Sequence, residues 1–291
     1  MGKSSAGKRG SLLWYNDFTM KLSYTTLACP AWTIDRVIEF AVASRYDAID
    51  FRGYLDVVEV IDSPHFQGDS LREMVKRVKD AGLEVSCLSS SASMTTPTAS
   101  SRAEQLDKMR RYAELCKAFD CHQVRIFGGA TKDIADPVAT AAETLVKASE
   151  IARDAGILFA VETHDAWTNT EMLRSALRAA GEPDGIGLLW DLQHPWYFSG
   201  EEPEVTAKNL AGKVCNTHWK DLVRLPENKY RLCPVGKGEL PIDRLYAALR
   251  SIGYDGWFTL EWEKRWHPEI EEPEVVIPAF ADFIRALTAS D

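Results

Sequence analysis

Apolar residues along this chain follow two alternating patterns. Short runs read as strands: KLSYTT (21–26), DAIDFR (47–52), LEVSCL (83–88), HQVRIF (122–127), ILFAVE (157–162), IGLLWD (186–191), VCNTHW (214–219) and WFTLEW (257–262). Between them the apolar spacing changes to three and four. Leu106, Met109, Ala113, Cys116 and Phe119 predict one helix, and Ala141, Leu145, Ala148 and Ala152 another. Val276, Phe280, Phe283 and Leu287 predict a last helix after the eighth strand. Gly82 and Gly156 stand between a helix and a strand, where a left-handed cap ends the helix. KDAGL (79–83) and RDAGI (153–157) repeat that punctuation. Between strands six and seven the helical signal is weak, with EPEVTAKNL as the best candidate.

The eight runs start 26 to 43 residues apart, the length of one strand–helix unit each. This predicts an α/β fold, a single-domain (β/α)8 TIM barrel over residues 20–291. Residues 1–19 are expected to form a flexible N-terminal extension. A doubly wound sheet would show a glycine-rich loop after strand one, and TTLACPAWT has no glycine. The early GKSSAGKR resembles a phosphate loop but has Arg9 where a hydroxyl is needed, and no strand precedes it.

Composition narrows the classes. The chain is 45% hydrophobic, ample for a core, with no apolar run long enough to span a membrane. No apolar segment follows the basic start, so no secretory signal is read there. The net charge of −9 argues against a nucleic-acid surface. Six dispersed cysteines without a CxxC pair fit reduced thiols, so a cytoplasmic location is expected. Nothing in the sequence speaks against a homo-oligomer.

In a barrel, chemistry collects at the carboxyl ends of the strands. Strand five ends at Glu162, strand six at Asp191, strand seven carries His218 and strand eight carries Glu261. A single carboxylate at a strand end is usually solvated or caps the next helix. Four metal-capable side chains on consecutive strands point to a divalent cation, because burying those charges unpaired costs several kcal/mol each. By strand parity Glu263 rivals Glu261 as a ligand. Glu261 is preferred because it directly ends the apolar stretch. Oxygen and nitrogen donors without thiolate suit manganese, magnesium, cobalt or zinc, with manganese favoured. His194, three residues past Asp191, reads as a loop histidine or a substrate contact. Trp167, Trp196 and Trp219 are candidates to stack on a sugar face. The glycines and Lys237 of PVGKGE could bind phosphate, although a tight turn is the preferred reading. Arg224, Arg231 and Arg52 are further candidate anion contacts.

The pieces VETH, WDLQHP, THWKD, LEWE and GKGELPID resemble the xylose-isomerase-like TIM barrel superfamily, and within it the sugar phosphate isomerase/epimerase group. The resemblance spans about residues 20 to 288. It implies one divalent metal on Glu162, Asp191, His218 and Glu261, with Glu162 and Glu261 as the acid/base pair. It implies a substrate or metal-region contact for His194, and site-ordering roles for Lys220 and Asp221. His164 and Arg52 match no family-wide position and are proposed as substrate contacts from their inward-facing strand-end positions. The expected reaction is isomerisation or epimerisation of a sugar or related keto-polyol. Chelation acidifies the carbon beside the carbonyl and stabilises the resulting enediolate. A lyase acting by elimination from that enediolate, such as an inosose or dehydroshikimate dehydratase or a 3-oxo-glycoside eliminase, is the alternative. An apurinic endonuclease is disfavoured, because strands two to four end in FRGY, CLSS and IFGG without histidine.

Overall fold

A parallel strand buried on both faces needs helices outside and filled space inside. Both are found in the computed structural model, which describes residues 20–227 and 229–289. The expected N-terminal extension and the phosphate-loop-like stretch lie outside the described residues. The barrel strands are β1 (Lys21–Thr25), β2 (Ala48–Phe51), β3 (Glu84–Ser93), β4 (Gln123–Phe127), β5 (Leu158–Glu162), β6 (Ile186–Asp191), β7 (Val214–Trp219) and β10 (Trp257–Leu260). They close in the order β1-β10-β7-β6-β5-β4-β3-β2, all neighbours parallel. The eight expected strands are all present, and β3 runs five residues past its expected end.

The predicted helices form as α3 (Ala99–Phe119), α4 (Pro137–Ala155) and α9 (Pro273–Thr288). Asp136 caps α4 by accepting from Ala139 N at 2.9 Å, and Gly156 ends it at φ 71°. The main core lies between barrel and helices. Trp219 there stacks on Phe258 at 5.3 Å and meets Phe280 of α9 at 6.3 Å. Trp167 is fully buried and donates from its indole to Gly129 O at 3.0 Å. Neither ring is available to a sugar, which corrects that expectation for both. Inside the barrel the contacts are polar: Ser23 Oγ lies 2.6 Å from Ser86 Oγ, and Thr259 Oγ1 donates to Asn216 Oδ1 at 2.9 Å.

Two elements depart from the expected plan. His194 does not lie in a loop but in a short helix, α6 (Gln193–Phe198), ahead of α7 (Pro203–Leu210). After β7 an antiparallel hairpin rises over the mouth, β8 (Asp221–Leu225) paired with β9 (Lys229–Cys233). Its apolar alternation is too short and too exposed at Arg224 and Leu225 to signal a strand by itself.

Candidate active site

Barrel strands tilt, so residues at one depth are staggered in register. Asp191 lies opposite His218, Glu162 opposite Leu189, and His218 opposite Thr259, two residues before Glu261. The longer glutamate side chains reach the same point. One ligand atom from each of Glu162, Asp191, His218 and Glu261 falls within 4.8 Å of the others, and all four residues are buried. Glu162 Oε1 stands 3.0 Å from His218 Nδ1, and Glu261 Oε1 stands 3.2 Å from it.

The donor set fits a small divalent cation. Glu162 Oε2 is buried without a hydrogen-bond partner, with Arg125 Nη1 3.4 Å away. Such groups are rare in folded proteins unless a ligand or ion satisfies them. Asp191 divides its two oxygens. Oδ1 accepts from Gln193 N at 2.9 Å and His194 N at 3.1 Å, fixing the start of α6. Oδ2 remains directed at the cluster.

Charge pairing decides the ionisation of the cluster. Burial pushes Glu162 up, but Arg125 and His218 outweigh it and hold the carboxyl well below the usual range. Burial likewise opposes ionisation of Glu261, and His218 and Lys220 overcome it. Asp191 goes the other way: burial raises it to about 6 despite Lys220. His218 is raised, since Glu261 and its neighbours outweigh burial.

Each remaining expected residue has a definite place. Lys220 is buried, with Nζ 2.9 Å from Asp191 Oδ2, 2.6 Å from Glu261 Oε2 and 2.7 Å from Glu263 Oε1. Glu263 therefore faces Lys220 and is outside the four-residue cluster. His194 is buried, its Nδ1 3.0 Å from Thr163 O. Burial, then Lys220, lowers it to about 3, so the ring is neutral and Nδ1–H donates. His164 stands between Phe127 and His194, at ring distances of 4.7 and 4.8 Å, and pairs with Asp165 at 3.0 Å. Trp196 carries the Arg224 guanidinium over its ring at 4.5 Å, so the hairpin takes one face of the indole. Arg52 follows β2 and is buried, its Nη1 3.7 Å from Glu59 Oε1.

Asp221 orders the glycine loop and not the cluster. Its Oδ2 accepts from Gly236 N and Gly238 N, at 3.0 and 2.9 Å. Its Oδ1 accepts from Leu222 N and Leu240 N, at 2.8 and 3.1 Å. A Cβ at Gly238 would overlap that carboxylate, which is why glycine stands there. A carboxylate of the chain already occupies the glycine amides, so PVGKGE is the turn that was preferred over a phosphate site.

Two interior residues were missed by sequence reasoning. Asp50 of β2 faces His218 Nε2 at 3.6 Å and accepts from Ser89 Oγ at 3.0 Å. Arg125 of β4 is buried, 3.4 Å from Glu162 Oε2, and its guanidinium lies 3.9 Å over the Phe127 ring. The available signal was parity: a charge in the middle of a short apolar strand, in AIDF and QVRIF, faces inward if its neighbours face the helices.

The model of the xylose isomerase-like TIM barrel family matches residues 38–287. Among solved structures, L-ribulose 3-epimerase superposes with a TM-score of 0.77 at 15% identity, over 93% of this chain and 95% of that one. The probable 3-DHS dehydratase AsbF from Bacillus anthracis gives 0.73 at 15%, over 91% and 99%. The IOLI protein, solved with a zinc atom, gives 0.75 at 17%, over 93% and 97%. These identities speak for the fold alone, while the family match covers most of the sequence. The chain belongs to the xylose isomerase-like TIM barrel family.

Proposed function

We propose that the protein is a divalent-metal-dependent isomerase or epimerase of a sugar or related keto-polyol. The observation that carries this reading is the buried convergence of Glu162, Asp191, His218 and Glu261, with ligand atoms within 4.8 Å of one another. These four residues would hold one cation, with manganese favoured and magnesium, cobalt and zinc also suited to the donors. When bound, the cation supplies Lewis acidity toward a chelated carbonyl and its neighbouring hydroxyl.

The side chains of this protein account for the rest of the chemistry. Glu162 and Glu261 are ionised and able to take a proton from the substrate carbon. Each keeps one oxygen near His218 and turns the other toward a cation of the chain, Arg125 at 3.4 Å for Glu162 and Lys220 at 2.6 Å for Glu261. Return of the proton by the same carboxylate to the neighbouring carbonyl carbon, with a hydroxyl proton passing between the two oxygens, gives isomerisation; delivery to the original carbon from the opposite side gives epimerisation. His194 donates its Nδ1 proton to Thr163 O and offers Nε2 to a substrate hydroxyl. His164, Lys220, Arg52 and Trp196 complete the proposed substrate contacts.

One feature favours lyase chemistry as a second reading. The Lys220 ammonium lies 2.6 Å from Glu261 Oε2 and can protonate a departing hydroxyl. Incubation with a panel of keto sugars in heavy water tests both. Deuterium at the carbon beside the carbonyl, absent in Glu162→Gln and Glu261→Gln, is expected for the isomerase or epimerase. Loss of water or aglycone assigns the lyase. Activity that survives exhaustive chelation contradicts both.

A further inference from the structure

The side of the mouth formed by β2, β3 and β4 carries two buried guanidinium groups, Arg125 with unmet donors and Arg52 held only by long contacts. Arg125 is 1% exposed, and its Nε and Nη1 have no hydrogen-bond acceptor. Its nearest carboxylate oxygen is Glu162 Oε2 at 3.4 Å, beyond a charge-assisted hydrogen bond. Arg52 is 7% exposed, and its Nη1 makes only long contacts, 3.4 Å to Val58 O and 3.7 Å to Glu59 Oε1. A guanidinium has five donors in a rigid fork, and a buried one is normally saturated.

The nearby acids are engaged elsewhere. Glu59 accepts from Ser91 N at 2.9 Å and from Tyr112 Oη at 3.1 Å, and Lys108 stands 3.8 Å away. Glu162 turns its other oxygen to His218. The two arginines also act on each other. Burial, and then the charge of Arg125, pull Arg52 down to about 10. Two buried like charges, each met by its carboxylate only at long range, are costly unless an anion joins them. Barrels often bind phosphate at the loops after the last strands, but here Asp221 fills the glycine amides. The arginine pair is thus the place in this mouth prepared for a second anion.

We infer that the substrate carries an oxyanion group, a carboxylate or a phosphate, which docks between Arg52 and Arg125 while its hydroxy-ketone end faces Glu162 and Glu261. The inference rests on the proposed function for the second half of that statement and on the guanidinium pair for the first. Arg52 and Arg125 then fix which carbon lies between the two glutamates. A neutral sugar would leave their donors idle.

Calorimetric titration of the metal-loaded protein with D-fructose, D-fructuronate and D-fructose 6-phosphate tests this on one carbon skeleton. At least one of the two anions is expected to bind about tenfold or more tightly than fructose, an advantage that shrinks with added salt. A preference for the fructuronate names a sugar acid, and a preference for the phosphate names a sugar phosphate. Arg52→Gln and Arg125→Gln are each expected to reduce the advantage below about threefold. Arg52→Lys keeps the charge without the fork, so it retains part of the advantage even where Arg125→Gln fails to fold. Equal binding of all three compounds, no binding of any, or an advantage untouched in Arg52→Gln overturns the inference. Metal analysis of the same samples separates the two claims: a protein without metal that still prefers the anion refutes the proposed function and keeps the anion pocket.

Discussion

The two sides of the barrel mouth solve opposite electrostatic problems. At the ends of β5, β6, β7 and β10, three carboxylates and an imidazole converge on one point. After β2 and on β4, Arg52 and Arg125 lie buried, Arg52 held only by long contacts and Arg125 with two donors unmet. The acidic side is prepared for a cation and the basic side for an anion. Glu162 and Arg125 join them across 3.4 Å. A substrate lying across the mouth would be polarised at one end and anchored at the other.

The strongest way to break this contrast is Glu162→Gln. It removes one proposed metal ligand and leaves Arg125 without its nearest counter-charge. Stoichiometric metal should be lost, and stability in urea should fall by about 3 kcal/mol, the cost of orphaning a buried charge. Asp221→Ala strikes the scaffold instead. Four backbone N–H groups lose their acceptor, so about 3 kcal/mol of stability is expected to go while bound metal, measured on the folded fraction, stays.

Asp50→Asn sharpens the acidic side. A carboxylate behind a metal-bound histidine orients the ring and raises its basicity. Competition with a chromogenic chelator should show metal affinity about 10- to 100-fold weaker in that variant.

His194 gives a pH signature. Its folded value, about 3, lies below the ordinary 6.5, because burial disfavours the charged ring. Between those values the unfolded chain binds a proton that the folded chain does not. The stabilisation is therefore present above pH 6.5 and is lost as pH falls toward 3. Urea melts at pH 7 and pH 5 should show a smaller pH-dependent loss in His194→Asn than in the unsubstituted protein. The difference is bounded by about 1.4 kcal/mol per pH unit. The smallest effect is expected for Lys237→Ala, within about 0.5 kcal/mol of the parent and without change in anion binding, since Asp221 occupies the loop.

The acidic side was legible in the sequence because its four residues end or directly follow apolar strands, where polarity stands out. The strands themselves were legible for the same reason, each being bounded by helical spacing and turn residues. Arg125 and Asp50 were not singled out, because parity says only that a charge inside a strand lies on the face opposite its apolar neighbours, not what that face meets. Only closure of the barrel shows that it faces a polar interior. The hairpin β8–β9 escaped because half of its residues are exposed, which blurs the alternation. His194 was recognised as a residue of the mouth but not as part of a helix, since α6 is too short to display a period. Asp221 was linked to the site by its neighbours in sequence, whereas three of its four hydrogen bonds tie it to a loop up to 19 residues away.

The most direct test of the central claim is a metal count on protein purified without added chelator and then equilibrated with manganese, read by elemental mass spectrometry. The expected result is about one equivalent per chain in the unsubstituted protein and little in Glu162→Gln or His218→Gln, because each removes one of four donors. A substoichiometric trace in the unsubstituted protein, or equal metal in all three, would contradict the account.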